Sequence, residues 1–226
     1  MNSRWHETDD FKQKLGGAMQ RNAMHFATSR LRKHQNVYLL GDRAESIYFI
    51  ESGQIKLLTL SPGGKECLLA IHTAGDLFGE LCLSESGLRQ ETATAMEYTM
   101  LKRIPCSSFF QHLSQNSLLE GFVHYLATRL GHQQQIIANL ITVGSEHRLG
   151  ETLLLLAQKL GQPHTRSTLI DHKITHEELS EMVGTTRPRI TEFMLKFRGL
   201  GLIETSPEHF LIIKQEKLSE YLARIA

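Results

Sequence analysis

The 226-residue chain holds only three cysteines, Cys67, Cys82 and Cys106. Their number is odd, their spacing is wide and no Cys-x-x-Cys pair occurs, so neither a disulfide framework nor a zinc pattern is present. They read as reduced and mostly structural. No run of about 18 apolar residues exists, which excludes a membrane-spanning helix. The start, Met1 to Asp10, is polar and acidic, unlike a secretory leader, and the expected location is the cytoplasm. Net charge is +1, so bulk charge offers no nucleic-acid signal and a DNA binder would need local basic clustering. Neither repeats nor low-complexity stretches occur. Gly-x-Ser-x-Gly, His-Glu-x-x-His and a Walker loop are also missing, so the chain is not expected to be an enzyme.

An apolar fraction of 41% is enough for real cores. From about residue 37 to 104, apolar and polar residues alternate between closely spaced turn signals. Val37-Tyr38-Leu39 precedes Gly41-Asp42, Ile47 to Ile50 precedes Ser52-Gly53, and Ile55 to Leu60 precedes Ser61-Pro62-Gly63-Gly64. Cys67 to Ile71, Thr92 to Met96 and Thr99 to Ile104 continue the series. Many short strands at this spacing predict an all-β sandwich or barrel. Pro62-Gly63-Gly64 cannot sit inside a strand and predicts a hairpin tip.

Near Cys106 the pattern changes. No proline occurs from Ser108 to Val143, and Leu118, Phe122, Leu126, Leu130, Ile137, Leu140 and Ile141 recur at helical spacing, interrupted at Gln133 and Gln134. A near-heptad stripe on so long a helix suggests a dimer seam, although one amphipathic helix packed on its own barrel would show a similar stripe. Gly144 breaks the helix. Glu151 to Leu160 predicts another, ended by Gly161-Gln162-Pro163. Thr168 to Ile170 is a short strand, Leu202 to Glu204 and Phe210 to Ile213 form a hairpin, and Lys217 to Ile225 is a closing helix.

Residues 174–203 carry the most information. Thr175 with Glu178 three residues later makes a capping box for a first helix. Leu179, Met182 and Val183 face inward, and Gly184 supplies a left-handed turn. Thr186 caps a second helix, with Pro188 in its first turn, where a missing N–H costs nothing. Ile190, Phe193, Met194 and Phe197 make its buried stripe. This is the layout of a helix-turn-helix whose second helix enters a DNA major groove, and the hairpin after it is a wing. Arg187, Arg189, Lys196 and Arg198 fall within twelve residues, against one acid, Glu192. Thr186, Arg187, Arg189, Thr191 and Glu192 lie early on the helix, where base edges are reached, and Thr175 joins the DNA-contacting set. Arginine takes guanine bidentately and glutamate accepts from cytosine N4. Lys196 and Arg198 lie farther along, where phosphates are met.

Gly41-Asp42 with Ile47-Tyr48-Phe49-Ile50, Gly53-Gln54-Ile55-Lys56, Gly75-Asp76-Leu77-Phe78-Gly79-Glu80-Leu81, the long helix and the helix-turn-helix occur in that order. In this ordered series the chain resembles the CRP/FNR family of bacterial transcription regulators over nearly its whole length. The resemblance implies an α+β architecture. A cyclic-nucleotide-binding β-roll (a double-stranded β-helix or jelly roll) with an N-terminal helical segment would fill residues 1–111, a dimerisation helix 112–143, and a winged helix-turn-helix 144–226. It implies double-stranded DNA and a second copy of the chain as partners, with RNA polymerase a further candidate. It also implies an effector pocket at Gly79, Glu80 and Leu81, where backbone amides meet a cyclic phosphate and the glutamate accepts from a ribose hydroxyl.

Arg89 fits the family's phosphate-pairing arginine, but Gln90 stands where a hydroxyl residue is usual and Glu91 adds a carboxylate. Gln133-Gln134 replaces a hydroxyl pair on the long helix. These departures argue against cAMP and leave another cyclic nucleotide, a different small effector or none. Pro188 and Glu192 depart from the family's common reading residues, so neither of its best-known palindromes is expected as operator. No cysteine occurs in residues 1–66, which excludes the iron–sulfur branch. A haem branch could use His72, but a lone histidine is weak ground and no metal site is expected. The competing function is a cyclic-nucleotide-binding regulatory subunit acting on another protein, which would bind ligand without preferring any DNA. The winged segment argues against it.

Overall fold

Alternating patterning divides residues 27–105 into strands because successive side chains face the packed interior and solvent in turn. The structure, a computed structural model, describes residues 4–21, 26–60, 64, 66–84 and 86–225. It divides into two compact units, Met1–Gln134 and Gln135–Ala226.

In the first unit α1 (Arg4–Gln20) precedes β1 (Ala27–Leu31), β2 (Asn36–Tyr38), β3 (Ser46–Ser52), β4 (Gln54–Leu60), β5 (Glu66–Thr73), β6 (Leu77–Phe78), a 3-10 helix (Glu80–Leu83), β7 (Thr92–Ala95) and β8 (Thr99–Pro105). The described strands form two antiparallel sheets, β1-β8-β3-β6 and β2-β7-β4-β5. This is the β-roll. Tyr38, Tyr48, Ile50, Ile55, Phe78 and Leu101 fill its interior. A second core joins Phe11 and Leu15 of α1 to Ile47, Phe109 and Phe122. β1 was not expected from its sequence, Ala-Thr-Ser-Arg-Leu. Of its residues only Leu31 is buried, and pairing with β8 holds the strand in place. The β4–β5 hairpin pairs Leu60 with Glu66. Pro62 and Gly63 of its expected tip lie outside the described residues.

The helix expected as one piece over residues 112–143 is interrupted: α2 (Cys106–Gln115) ends and α3 (Leu119–Thr142) begins within that span. Between them Ser117 takes φ 54°, and the Asn116 side chain donates to the His112 carbonyl at 2.9 Å. That local bond ends the helix in competition with its ladder. The apolar stripe divides as well. Leu118 and Phe122 are buried in the roll's own core and Leu126 packs partly against it. Leu130, Ile137, Leu140 and Ile141 are exposed, Ile141 at 80%. The first half of the stripe is thus packed on the chain's own roll, and the second half is an exposed apolar face.

The second unit contains α4 (Ser145–Leu160), β9 (Gly161–His164), β10 (Ser167–Ile170), α5 (His176–Val183), α6 (Arg187–Gly199), β11 (Ile203–Thr205), β12 (Leu211–Ile213) and α7 (Gln215–Ile225). Its sheet runs β11-β12-β10-β9, so the wing hairpin extends a sheet begun before the helix-turn-helix. Gly161-Gln162-Pro163, expected only to end a helix, forms β9. Its proline is accommodated because β9 is an edge strand. Leu149, Leu153, Leu156 and Leu160 of α4 are buried, as are Leu218 and Leu222 of α7. Among the described residues no helix is long and apolar enough to cross a membrane.

Candidate nucleic-acid interface and β-roll pocket

The helix-turn-helix is built from local chemistry. The Thr175 hydroxyl accepts from the Glu178 N–H at 3.1 Å while the Glu178 carboxylate accepts from the Thr175 N–H at 2.9 Å, closing the capping box. Gly184, at φ 66° and ψ 50°, ends α5 and returns its N–H to the Ser180 carbonyl. That left-handed conformation costs other L-residues about 1–2 kcal/mol. Thr186 stands at the N-cap of α6, but its side chain makes no capping hydrogen bond; the expected cap is positional only. Pro188 lies in the first turn.

One face of α6 is apolar and packed: Ile190, Phe193, Met194 and Phe197 are buried. Thr186, Arg187, Arg189, Glu192, Lys196 and Arg198 are exposed on the helix, and Thr191 is half-buried. Arg189 lies 5.8 Å from the centroid of the Phe193 ring, so its guanidinium bends back along the helix surface. Two expected contacts are engaged inside the protein. The Thr191 hydroxyl donates to the Arg187 carbonyl at 3.1 Å and meets His176 Nδ1 at 2.9 Å. Lys196 Nζ pairs with Glu146 at 2.7 Å, which raises the lysine's pKa, and Tyr221 donates to the same carboxylate.

Two residues unforeseen from the sequence complete the unit. His176, at the start of α5, ties that helix to Thr191 of α6. Burial, then the charges of Arg187 and Arg198, lower its pKa and favour the neutral imidazole. Arg148 donates to the carbonyls of Val143, Val183 and Gly184 at 2.8, 2.9 and 3.3 Å. No periodicity marks either residue, because their partners are brought near only by folding.

In the roll, the structure brings together three of the expected effector residues and separates the rest. Arg89 is 3% exposed. Its Nη1 donates to the Gly79 carbonyl at 2.9 Å and its Nη2 to the Ser46 carbonyl at 2.6 Å, while the guanidinium lies 4.1 Å over the Tyr38 ring. Gly79 takes φ 79°, and a Cβ there would stand 2.8 Å from Arg89 Nη1, so the approach needs glycine. Glu80 pairs with Arg129 of α3 at 2.8 Å. Burial opposes the Arg129 charge, but the Glu80 carboxylate outweighs it and the pKa rises. Arg129 and Tyr125 both donate to the Leu77 carbonyl, at 3.3 and 3.2 Å, and burial pushes the Tyr125 hydroxyl up to about 12. Arg129 escaped the sequence reading, although a basic residue between Leu126 and Leu130 of the stripe was a usable signal. Leu81 and Gln90 are exposed, and Gln133 and Gln134 are exposed on α3.

A cyclic nucleotide does not fit these residues as they stand. Its phosphate would need Arg89, which is engaged with two carbonyls, and its ribose would need Glu80, which is engaged with Arg129. Glu91 adds a further obstacle. It is 4% exposed and accepts at 2.8 Å from the hydroxyl of Tyr38, whose ring Arg89 covers. Burial first, and then Glu91, raise the Tyr38 pKa, so the phenol stays a donor. Bringing an anion beside a buried carboxylate is unfavourable.

An antiparallel roll, a long helix and a winged helix-turn-helix with an arginine-bearing outer face define a DNA-binding transcription regulator with a sensor-type domain. The cyclic nucleotide-binding domain family matches residues 28–116, and the Crp-like helix-turn-helix domain family matches residues 147–221. The cAMP-activated global transcriptional regulator CRP of Pasteurella multocida is 32% identical, over 72% of this chain and 78% of its own length. The CRP-like cAMP-activated global transcriptional regulator of Mycobacterium tuberculosis is 28% identical, over 81% and 82%. Among solved structures, the c-di-GMP responsive global regulator CLP of Xanthomonas campestris superposes with a TM-score of 0.73 at 21% identity, covering 88% of this chain and 99% of that one, a likeness of fold. The chain belongs to the CRP/FNR family of bacterial transcription regulators. A regulatory subunit acting only on another protein is not favoured.

Proposed function

We propose that the protein works as a cytoplasmic homodimer that reads a two-fold operator through α6, without cAMP as effector. The observation that carries this reading is the division of α6. Its buried stripe seats it against the domain, while Arg187, Arg189 and Arg198 stand exposed on the other side. Arg187 and Arg189, in the first turn, are the base-reading side chains, with Thr186 and Glu192 beside them. Arg198 meets phosphate, and Lys196 does so on leaving Glu146. Thr175 and Thr191 act mainly by holding the two helices. The exposed half of the α3 stripe, Leu130 to Ile141, is the seam between two copies, which would set the reading helices about 34 Å apart. RNA polymerase is the further partner of a DNA-bound dimer.

Two relatives are named as cAMP-activated. In this chain Arg89 and Glu80 are engaged within the protein, so activation by cAMP is not expected. Selection of bound sequences from random duplexes tests the reading. It is expected to yield an inverted repeat whose recovery fails with Arg187→Ala. Recovery of sequences without two-fold symmetry would refute it. Calorimetry against cAMP and cGMP is expected to show no binding heat, and saturable heat that Arg89→Ala abolishes would refute the effector part.

A further inference from the structure

The three cysteines are scattered in sequence, yet two of them meet. Cys82, in the 3-10 helix after Glu80, and Cys106, the first residue of α2, place their sulfurs 2.6 Å apart. Both belong to the apolar core shared by α1, β3 and α2, so folding alone makes them neighbours. The two thiols differ. Cys82 is buried, and burial together with its hydrogen bond to Cys106 raises its pKa. Cys106 is half-exposed and is the acceptor of that bond. A half-buried cysteine backed by a buried one is the arrangement of an attacking and a resolving thiol.

We infer that Cys82 and Cys106 form a reversible two-electron redox site that takes a hydroperoxide as oxidant and closes to an intrachain disulfide. Cys106 attacks the peroxide, whose O–O bond breaks. Sulfur gains the hydroxyl as a sulfenic acid, and the other oxygen takes the proton lost from the Cys106 thiol and leaves as an alcohol or as water. The Cys82 sulfur then displaces that hydroxyl, forming the S–S bond, and the hydroxyl departs as water with the Cys82 proton. The two thiols are oxidised by two electrons and the peroxide is reduced by two. Closure fastens the 3-10 helix that begins at Glu80, the partner of Arg129, to the start of α2. The chemistry stands whether or not the chain reads DNA, since its readout is covalent.

Full-length protein is reduced, desalted, exposed to hydrogen peroxide, then alkylated with iodoacetamide in denaturant and mapped by peptide mass spectrometry. The expected result is one cross-linked species joining the Cys82 and Cys106 peptides, with loss of alkylation at both. Cys67 remains alkylated, and dithiothreitol restores the other two. Cys67→Ser keeps the cross-link, and Cys106→Ser abolishes it. Unchanged alkylation at Cys82 and Cys106, sulfinic acid at Cys106 without the cross-link, or a cross-link only between two chains would each overturn the assignment.

Discussion

Arg89→Ala separates a cation held ready for a ligand from one that holds the roll together. The guanidinium gives one hydrogen bond each to the Gly79 and Ser46 carbonyls and covers the Tyr38 ring. Hydrogen bonds to charged groups contribute about 1.5–3 kcal/mol each, and a desolvated cation–π contact contributes about 2 kcal/mol. Their sum is roughly 5–8 kcal/mol, offset by the several kcal/mol that burying the cation costs. Removing one member of a buried charged set typically destabilises by about 3–5 kcal/mol, because the remaining groups lose their partners. For a chain of this size that is a fall in Tm of roughly 6–20 °C. Scanning calorimetry on ligand-free, full-length protein measures it. Arg89→Lys should lie between, since one ammonium cannot reproduce the guanidinium's fork across two carbonyls. A fall under about 2 °C for Arg89→Ala would refute the structural role and reopen the roll to an anionic ligand.

The Glu146 carboxyl links α4 to Lys196 and Tyr221. Burial raises its pKa, but hydrogen bonds from Lys196 and Tyr221 outweigh burial and leave it below 4.5. A carboxyl with a lowered folded pKa stabilises fully above its unfolded value and loses that contribution as pH falls through the folded one. The Tm of the wild type should therefore fall more steeply below pH 4.5 than that of Glu146→Gln, and parallel curves would count against the pair. Thr175→Ala removes the capping box and should cost about 1 kcal/mol in urea unfolding, with Thr175→Ser restoring most of it. Ile141→Glu places a charge on the exposed α3 stripe. Sedimentation should show a shift from dimer to monomer with the helical signal retained, and an unchanged dimer would move the seam elsewhere.

The parts legible in the sequence were those whose partners lie within a few residues. The Thr175–Glu178 box, the left-handed Gly184 and the apolar stripe of α6 are set by spacing alone, and the alternation of β3 and β4 follows from two-sided packing. What escaped depends on distant partners. β1 is polar and exists through β8, β9 contains a proline and exists through β10, and the break at Asn116-Ser117 replaced a helix that apolar periodicity had carried straight through. The site shows the same division. Arg187 and Arg189 could be read as an exposed basic pair, whereas the engagement of Lys196 by Glu146, 50 positions away, and of Glu80 by Arg129 has no local signature. Sequence spacing likewise hid that Cys82 and Cys106 are neighbours.

The three carbonyls gathered by Arg148 have a mechanical consequence. Val143 lies just past the end of α3, and Val183 and Gly184 form the turn between α5 and α6. A planar guanidinium holds all three at once, so separating the turn from the helix end would strand a charge with nothing to receive its protons. The reading head and the last residues before α4 are therefore geared together.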